Sequence, residues 1–420
     1  MSLSKFFSNY AGMPKEIKYL IFASIMPSVA FGLIFTDISY FLTVVQGIPA
    51  DFVGIVISSM GISTFVASIL LGIGADIYGR KKLLIIGNVL ANITLIVLAL
   101  TTDPFFLIIA AILEGISEAA IWTSNSALLA DKATNEKRNS VFSFYGFIQS
   151  IAFAIGSFAI PAVIVFELLG FSNRESHILL YFSIAVLGLV STLIMLRVSE
   201  SKKLKPSKAG IRDFLSSKSK NILLKFAITS AILAFGAGLV VPLMTLWFNL
   251  KYGISDIVSA PILAVSSLLI GLATLISPFL AKRYGLTKAI VLTQLTSTFF
   301  MFGIPFSPNF ALAGILYSMR ALLMNMGAPL SQSMIMGLVA EDERGTASGI
   351  SGALWRLPNA LSTFVGAWMM GIGFLAEPFL VSSLFYIISI MLFWHYFRKV
   401  KLPEEIITES KEHSSQVAFS

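Results

Sequence analysis

Twelve long apolar stretches, divided by short segments that hold nearly all the charge, dictate most of what this chain can become. They fall at roughly 18–45, 52–74, 83–101, 104–130, 140–166, 177–197, 222–250, 258–281, 289–306, 310–339, 346–372 and 375–397. An α-helix rising 1.5 Å per residue crosses a hydrocarbon core about 30 Å thick in about 20 residues, so each stretch is of spanning length. The chain is 56% hydrophobic and only 12% charged, about half the charged share of an ordinary soluble domain. An aqueous globule has no means of hiding that much apolar surface. The expected fold is an all-α membrane protein of twelve transmembrane helices, here spans 1 to 12.

The net charge of +8 raises the question of nucleic acid, and its distribution answers it. With the N-terminus placed inside, 26 of the 30 Lys and Arg lie in segments that face inward. Arg174 and Lys251 face outward, while Arg320 and Arg356 sit within spans. That asymmetry is the positive-inside pattern; it puts both termini in the cytoplasm of a cell-membrane protein, and the bilayer rather than nucleic acid is the partner. Lys15 and Lys18 precede the first apolar run and no small-residue cleavage pattern follows it, so it reads as a retained span. There is no Cys, and His177, His395 and His413 lie far apart in sequence, so no metal site is expected.

A charged turn, Gly72-Ile-Gly-Ala-Asp-Ile-Tyr-Gly-Arg-Lys-Lys82, returns in altered form 206 residues on as Pro278-Phe-Leu-Ala-Lys-Arg-Tyr-Gly-Leu-Thr-Lys288. At the same offset Gly47-Ile48 meets Gly253-Ile254, Arg138 meets Arg344 and Gly146 meets Gly352. A register slip of about four residues is expected between spans 4 and 5 relative to spans 10 and 11. The basic, Ser- and Pro-containing segment 198–221 reads as a cytoplasmic linker. It joins an N-terminal six-helix bundle (1–197) to a C-terminal one (222–397), with a polar cytoplasmic tail at 398–420.

Gly72, Ala75, Asp76, Gly79, Arg80 and Lys81 resemble the loop signature of the major facilitator superfamily, with Gly74 in place of its Leu and Ile77 in place of its first basic residue. Arg283 and Gly285 keep part of it in the second half, and Glu343-Arg344-Gly345 opens span 11 in the same style. The resemblance is closest in feel to the drug–proton antiporter and general metabolite branches. It implies two pseudo-symmetric six-helix bundles, with Asp76 capping span 11 from the opposite half and Arg80 pairing with Asp131. The gating set is thus Gly72, Asp76, Gly79, Arg80, Asp131, Arg283, Gly285 and Arg344. The antiporter signature that the resemblance implies in span 5 is not intact: Gly156-Ser157 stands where Gly-Pro belongs, and Pro161 comes five residues after Gly156.

Five ionisable residues fall inside spans: Asp37, Glu114, Glu118, Arg320 and Arg356. Each costs on the order of 2.5–3.5 kcal/mol if it faces lipid, so each is expected to face protein or a wet cavity. Glu114 and Glu118 share a helix face that Asn125 continues. The 206 offset sets Arg320 opposite Glu114. Two readings stay open there: a proton carrier whose carboxylate Arg320 tunes or whose anionic cargo it binds, or a static Glu114–Arg320 pair. Asp37 either faces the cavity or caps a helix break. Arg356, before Pro358, either serves function or satisfies carbonyls freed by the kink. Span 10 methionines (Met319, Met324, Met326, Met334, Met336) line an adaptable pocket or are ordinary membrane residues. Trp122, Tyr40 and Trp247 stack on cargo or pack.

No phosphate-binding loop of the G-x-x-x-x-G-K-[ST] type occurs, and no nucleophile or ligand cluster of an enzyme stands out. The chain reads as a secondary active transporter, working as a monomer without cofactors. It moves a small organic solute by alternating access on a proton gradient, with efflux of amphipathic compounds favoured over uptake of a carboxylate or other metabolite. A lipid-acting membrane enzyme and a non-transporting sensor are the alternatives from other classes.

Overall fold

The computed structural model describes residues 13–133, 138–200, 217–338 and 344–399, with the side chains of 72–78, 138–140, 143, 217–219, 274–275, 278, 333, 336–337 and 344–354 left out. The described residues form helices and no strand. Span 1 is Lys15–Ala23, Ile25–Tyr40 and a π-helical turn, Phe41–Val45. Spans 2, 3 and 4 are Ala50–Tyr78, Arg80–Leu100 and Pro104–Lys132. Span 5 runs Arg138–Phe158, then a 3-10 turn Ile160–Ala162, then Val163–Leu168. Span 6 is Asn173–Met195. Span 7 runs Ser217–Gly238, a 3-10 turn Val241–Leu243 and Met244–Tyr252. Spans 8 to 12 are Asp256–Tyr284, Leu286–Gly303 with Ile304–Phe306, Phe310–Leu338, Arg344–Gly371 and Glu377–Phe397. Eleven of these are long and apolar enough to cross a membrane; span 11, of 28 residues, packs along span 2.

The breaks have local causes. Pro161 and Pro242 lack the backbone N–H that would continue a helix, and each sits in its 3-10 turn. Gly79 (φ 102°) and Gly285 (φ 78°) end spans 2 and 8 in backbone conformations that a Cβ disfavours. The two lie 206 residues apart, as do Gly47 (φ 74°) and Gly253 (φ 68°).

Span 2 starts 206 residues before span 8, span 3 before span 9, span 4 before span 10, and span 5 before span 11. The expected four-residue slip is therefore absent: the loop between spans 4 and 5 has the same length as its counterpart. Packing repeats too. Spans 3 and 4, 2 and 4, 1 and 5, and 3 and 6 pack together, as do 9 and 10, 8 and 10, 7 and 11, and 9 and 12. The halves meet where span 2 lies on span 11 and span 5 on span 8, contacts that the pseudo-two-fold exchanges.

Among the described residues each half has two apolar cores, one toward the end with the basic turns (the basic end) and one toward the opposite, far end. The far-end cores interlock: Ala260 and Ile257 of span 8 join the first half's, and Ile57 joins the second's. The basic-end cores draw on their own half alone among the described residues. Lipid is as apolar as these side chains, so helix association rests on close packing and hydrogen bonds. Gly61 shows the first: a Cβ there would lie 2.5 Å from the Ala360 Cβ of span 11. Ser58 Oγ shows the second, donating to the Ala360 carbonyl at 2.6 Å. The far end is shut.

Candidate functional site: a cavity between the halves

Three adjoining chambers of about 300, 450 and 580 Å³ run from mid-depth toward the basic end. The first is floored by Glu114 and Glu118 of span 4, Arg356 and Asn359 of span 11, and Phe31 and Phe35 of span 1. The second adds Arg320, Tyr317 and Asn325 from the opposite wall. The third continues past Gln294, Ser331 and Phe393. Phe31, Phe35 and Phe153 form an aromatic wall with ring centroids 5.7–5.9 Å apart. Trp122 and Trp355 face the same space, both part-exposed.

The charges inside the membrane pair differently from expectation. Glu118, not Glu114, carries the cross-half ion pair, and its partner is Arg356: Nη1 donates to Oε1 at 2.7 Å. Thr64 Oγ1 of span 2 donates to the other oxygen at 3.1 Å. Arg356 therefore lines the cavity, and its Nη1 is on Glu118 rather than on a carbonyl freed beside Pro358. Glu114, one turn away, takes a hydrogen bond from the Thr94 hydroxyl of span 3. Arg320 stands on the far wall, 4% exposed, and gives its Nη2 hydrogen to the Tyr386 hydroxyl. The static Glu114–Arg320 pair, one of the two readings left open by the sequence, does not form. The offset correctly made the two positions equivalent, but equivalent positions of two packed halves face the cavity from opposite sides, too far apart to touch.

Asn125 leaves the face it was expected to continue: it is buried and its Nδ2 donates to the Tyr145 hydroxyl at 3.0 Å. Of the span 10 methionines, Met324 lines the cavity. Trp247 is fully buried and donates to the Leu375 carbonyl at 2.8 Å, and Tyr40 is buried as well. Packing is the role of both. Trp355, which sequence reasoning passed over, does face the cargo space.

Asp37 neither lines the cavity nor caps a break. It lies in a sealed cluster at the far end with His177 and Tyr181 of span 6 and Asp256 at the start of span 8. His177 Nε2 meets Asp256 Oδ2 at 2.8 Å, its Nδ1 meets the Asn173 carbonyl at 2.8 Å, and the Tyr181 hydroxyl donates to Asp37 Oδ2 at 3.1 Å. Phe41 stacks on both rings. Ligand atoms of Asp37, His177 and Asp256 lie within 4.8 Å of one another, and all three residues are buried. One oxygen of each carboxylate has no hydrogen-bond partner. Linear spacing gave no hint of this grouping, because its members come from three spans and both halves.

At the basic end Arg80 pairs with Asp131, the contact that the sequence resemblance implied. Gly72, Asp76 and Arg344 lie outside the residues whose side chains are described. A carboxylate does cap span 3: Glu200 accepts from the Lys81 N–H at 3.1 and 3.2 Å, and Lys132 joins Glu16 at 2.7 Å. Arg283 lies over the Tyr284 ring, 5.5 Å from its centroid. In the sequence Glu200 is one residue of the linker at 198–221, with nothing to mark it as a cap. Its carboxylate closes the turn in a place where a side chain at Gly79 would collide with it.

Two helical bundles enclosing a cavity with charged walls, closed at one end, define a solute transporter of the membrane rather than an enzyme. The chain belongs to the major facilitator superfamily, whose family description matches residues 20–362 and 226–418. Among curated proteins it is 22% identical over 371 residues to Multidrug resistance protein 2 of Bacillus subtilis (strain 168), covering 86% of this chain and 90% of that one. It is 21% identical over 247 residues to Quinolone resistance protein NorA of Staphylococcus aureus (strain MRSA252), covering 58% and 61%. Among solved structures, nucleoside transporter NupG superposes with a TM-score of 0.72 at 17% identity over 92% of this chain and 100% of that one. The D-xylose-proton symporter gives 0.67 at 16% over 90% and 97%. These structures share the fold.

Proposed function

We propose that the protein is a proton-driven secondary transporter that expels amphipathic organic compounds by alternating access. The observation that carries this is the Glu118–Arg356 pair, which joins the two halves across the cavity floor one turn from Glu114. A proton arriving on Glu118 removes the charge that Arg356 holds, so proton binding and separation of the halves become one event. Glu114, held by a neutral hydroxyl, is a second station for the same proton. The aromatic wall suits an apolar cargo, and relatives named for multidrug and quinolone resistance favour export over uptake.

In this reading the basic end is cytoplasmic by the positive-inside pattern, both termini lie there, and the membrane is the cell membrane. The protein works as a monomer, with the proton gradient as its energy source and no cofactor. Arg80 is already on Asp131 in this far-end-closed state and steadies the turn within its own half. The latch of the opposite state is the turn at 72–82 with Asp76 against span 11, together with Arg344, Arg283 and Gly285 in the other half.

The test is flux in proteoliposomes under an imposed pH gradient, followed with anionic, neutral and cationic amphipathic dyes. At least one of Glu114→Gln and Glu118→Gln should abolish gradient-driven transport in a folded protein. Full coupling in both variants would falsify the carboxylate assignment.

A further inference from the structure

Arg320 is the charge in the cavity wall that the proton cycle leaves unused. It is 4% exposed, and no Asp or Glu among the described residues lies within ion-pair distance of it. Its Nη2 donates to the Tyr386 hydroxyl, and its guanidinium carbon lies 5.5 Å from that ring's centroid. Its Nε has no acceptor. A phenol and a ring face compensate a cation only partly, and a buried charge without a counter-ion costs several kcal/mol. Arg356 makes the contrast: it has Glu118, and Arg320 has nothing of the kind. The fold keeps an uncompensated cation beside a chamber of about 450 Å³ whose opposite wall is aromatic.

We infer that Arg320 is the docking point for an anionic head group, and that the cargo is an amphipathic organic anion, a carboxylate or sulfonate on an aromatic body. The planar guanidinium presents its N–H groups as a fork that fits two oxygens of one head group, and its Nε–H, buried without an acceptor, is the donor such a head group would satisfy. The neighbouring Asn325 amide lines the same chamber. The aromatic body lies toward Phe31, Phe35 and Phe153. This deepens the transport reading by naming the substrate class, and it rests on that reading only for the cargo's being moved.

Binding to the purified, detergent-solubilised protein tests it with no gradient involved, so its outcome is separate from that of the flux test. The probes are 2-naphthoate, 2-naphthalenesulfonate, 2-naphthylmethanol and 2-naphthylmethylammonium, which share one ring system, measured by calorimetric titration. The anions should bind at least about tenfold more tightly than the alcohol, about 1.4 kcal/mol, and the ammonium more weakly than either. Arg320→Gln should erase the preference for the anions, and Arg320→Lys should keep part of it. Binding of the alcohol reports whether each variant is folded, and if R320Q does not fold, the wild-type ranking and R320K decide. Equal affinity for naphthoate and alcohol, or an intact preference in R320Q, overturns the assignment. So does competition by millimolar chloride or phosphate that displaces naphthoate completely, which would mark an inorganic-anion site.

Discussion

At the scale of single residues, the Glu118–Arg356 pair divides the reading of a working switch from that of a static tie. Its side chains are 26% and 30% exposed to the cavity. Ion pairs that wet contribute roughly 0.2–1 kcal/mol, since solvent screens the attraction and two long side chains must be held still. A sealed pair broken on one side would cost about 3–5 kcal/mol. The exposure puts this pair in the first class, so a static tie would gain little from it, as the proposed switch requires. Arg356→Gln should shift the apparent thermal midpoint by no more than about 4 °C while removing gradient-driven flux. A collapse of stability in a differential scanning measurement, with flux lost only for lack of folded protein, would restore the static tie. The sequence announced that these residues mattered, because charge inside a span is expensive. It was silent on pairing, because partners on different helices are chosen by how helices rotate and cross, which no linear spacing records.

At the scale of helices, the legible part was large. Apolar runs gave every span, since the bilayer forces both length and composition on a crossing helix, and positive-φ Gly79 and Gly285 stand where the charged turn and its copy were read. What the pattern did not disclose was which faces touch. Gly54 and Gly61 lie one above the other on the face of span 2 that span 11 covers, and added Cβ atoms there would come within 2.6 and 2.5 Å of Ala367 and Ala360. Such contacts exist only while the far end is shut. Gly61→Leu should therefore disfavour that state rather than unfold a helix, because leucine is a good helix former and the collision is across the seam. The chain has no Cys, so a cysteine placed at buried Val53 on the far end of span 2 is a clean reporter. Its labelling by a membrane-impermeant thiol reagent should accelerate severalfold in G61L. An unchanged rate would mean that the seam between spans 2 and 11 does not set far-end closure.

At the scale of the whole molecule, the duplication explains the architecture and then fails at the far-end cluster. The positions related by the 206-residue offset to Asp37, His177 and Asp256 are Leu243, Ser383 and Ala50, so one half-turn about the axis finds no second cluster. The symmetry that gave the fold from the sequence could not give this feature, which belongs to the asymmetric seam between span 1, span 6 and span 8. Its energetics have two opposing parts. The His177–Asp256 contact at 2.8 Å ties the halves, while each carboxylate leaves one buried oxygen without a partner, which weakens the closed state. Removing the histidine leaves both acids sealed with no basic neighbour, and loss of one partner of a buried pair outweighs the bond itself. His177→Phe, which keeps a ring against Phe41, should therefore speed thiol labelling of a cysteine at position 53 by an order of magnitude or more. Adding Asp256→Asn removes one of the two stranded acids, leaving Asp37, and should bring the rate part of the way back toward that of the parent. The pair of variants separates tie from burden: if H177F leaves labelling unchanged, the contact does not hold the far end shut. If the double variant labels faster than H177F, the cost lies in lost bonding and the stranded Asp256 carboxylate is not its source.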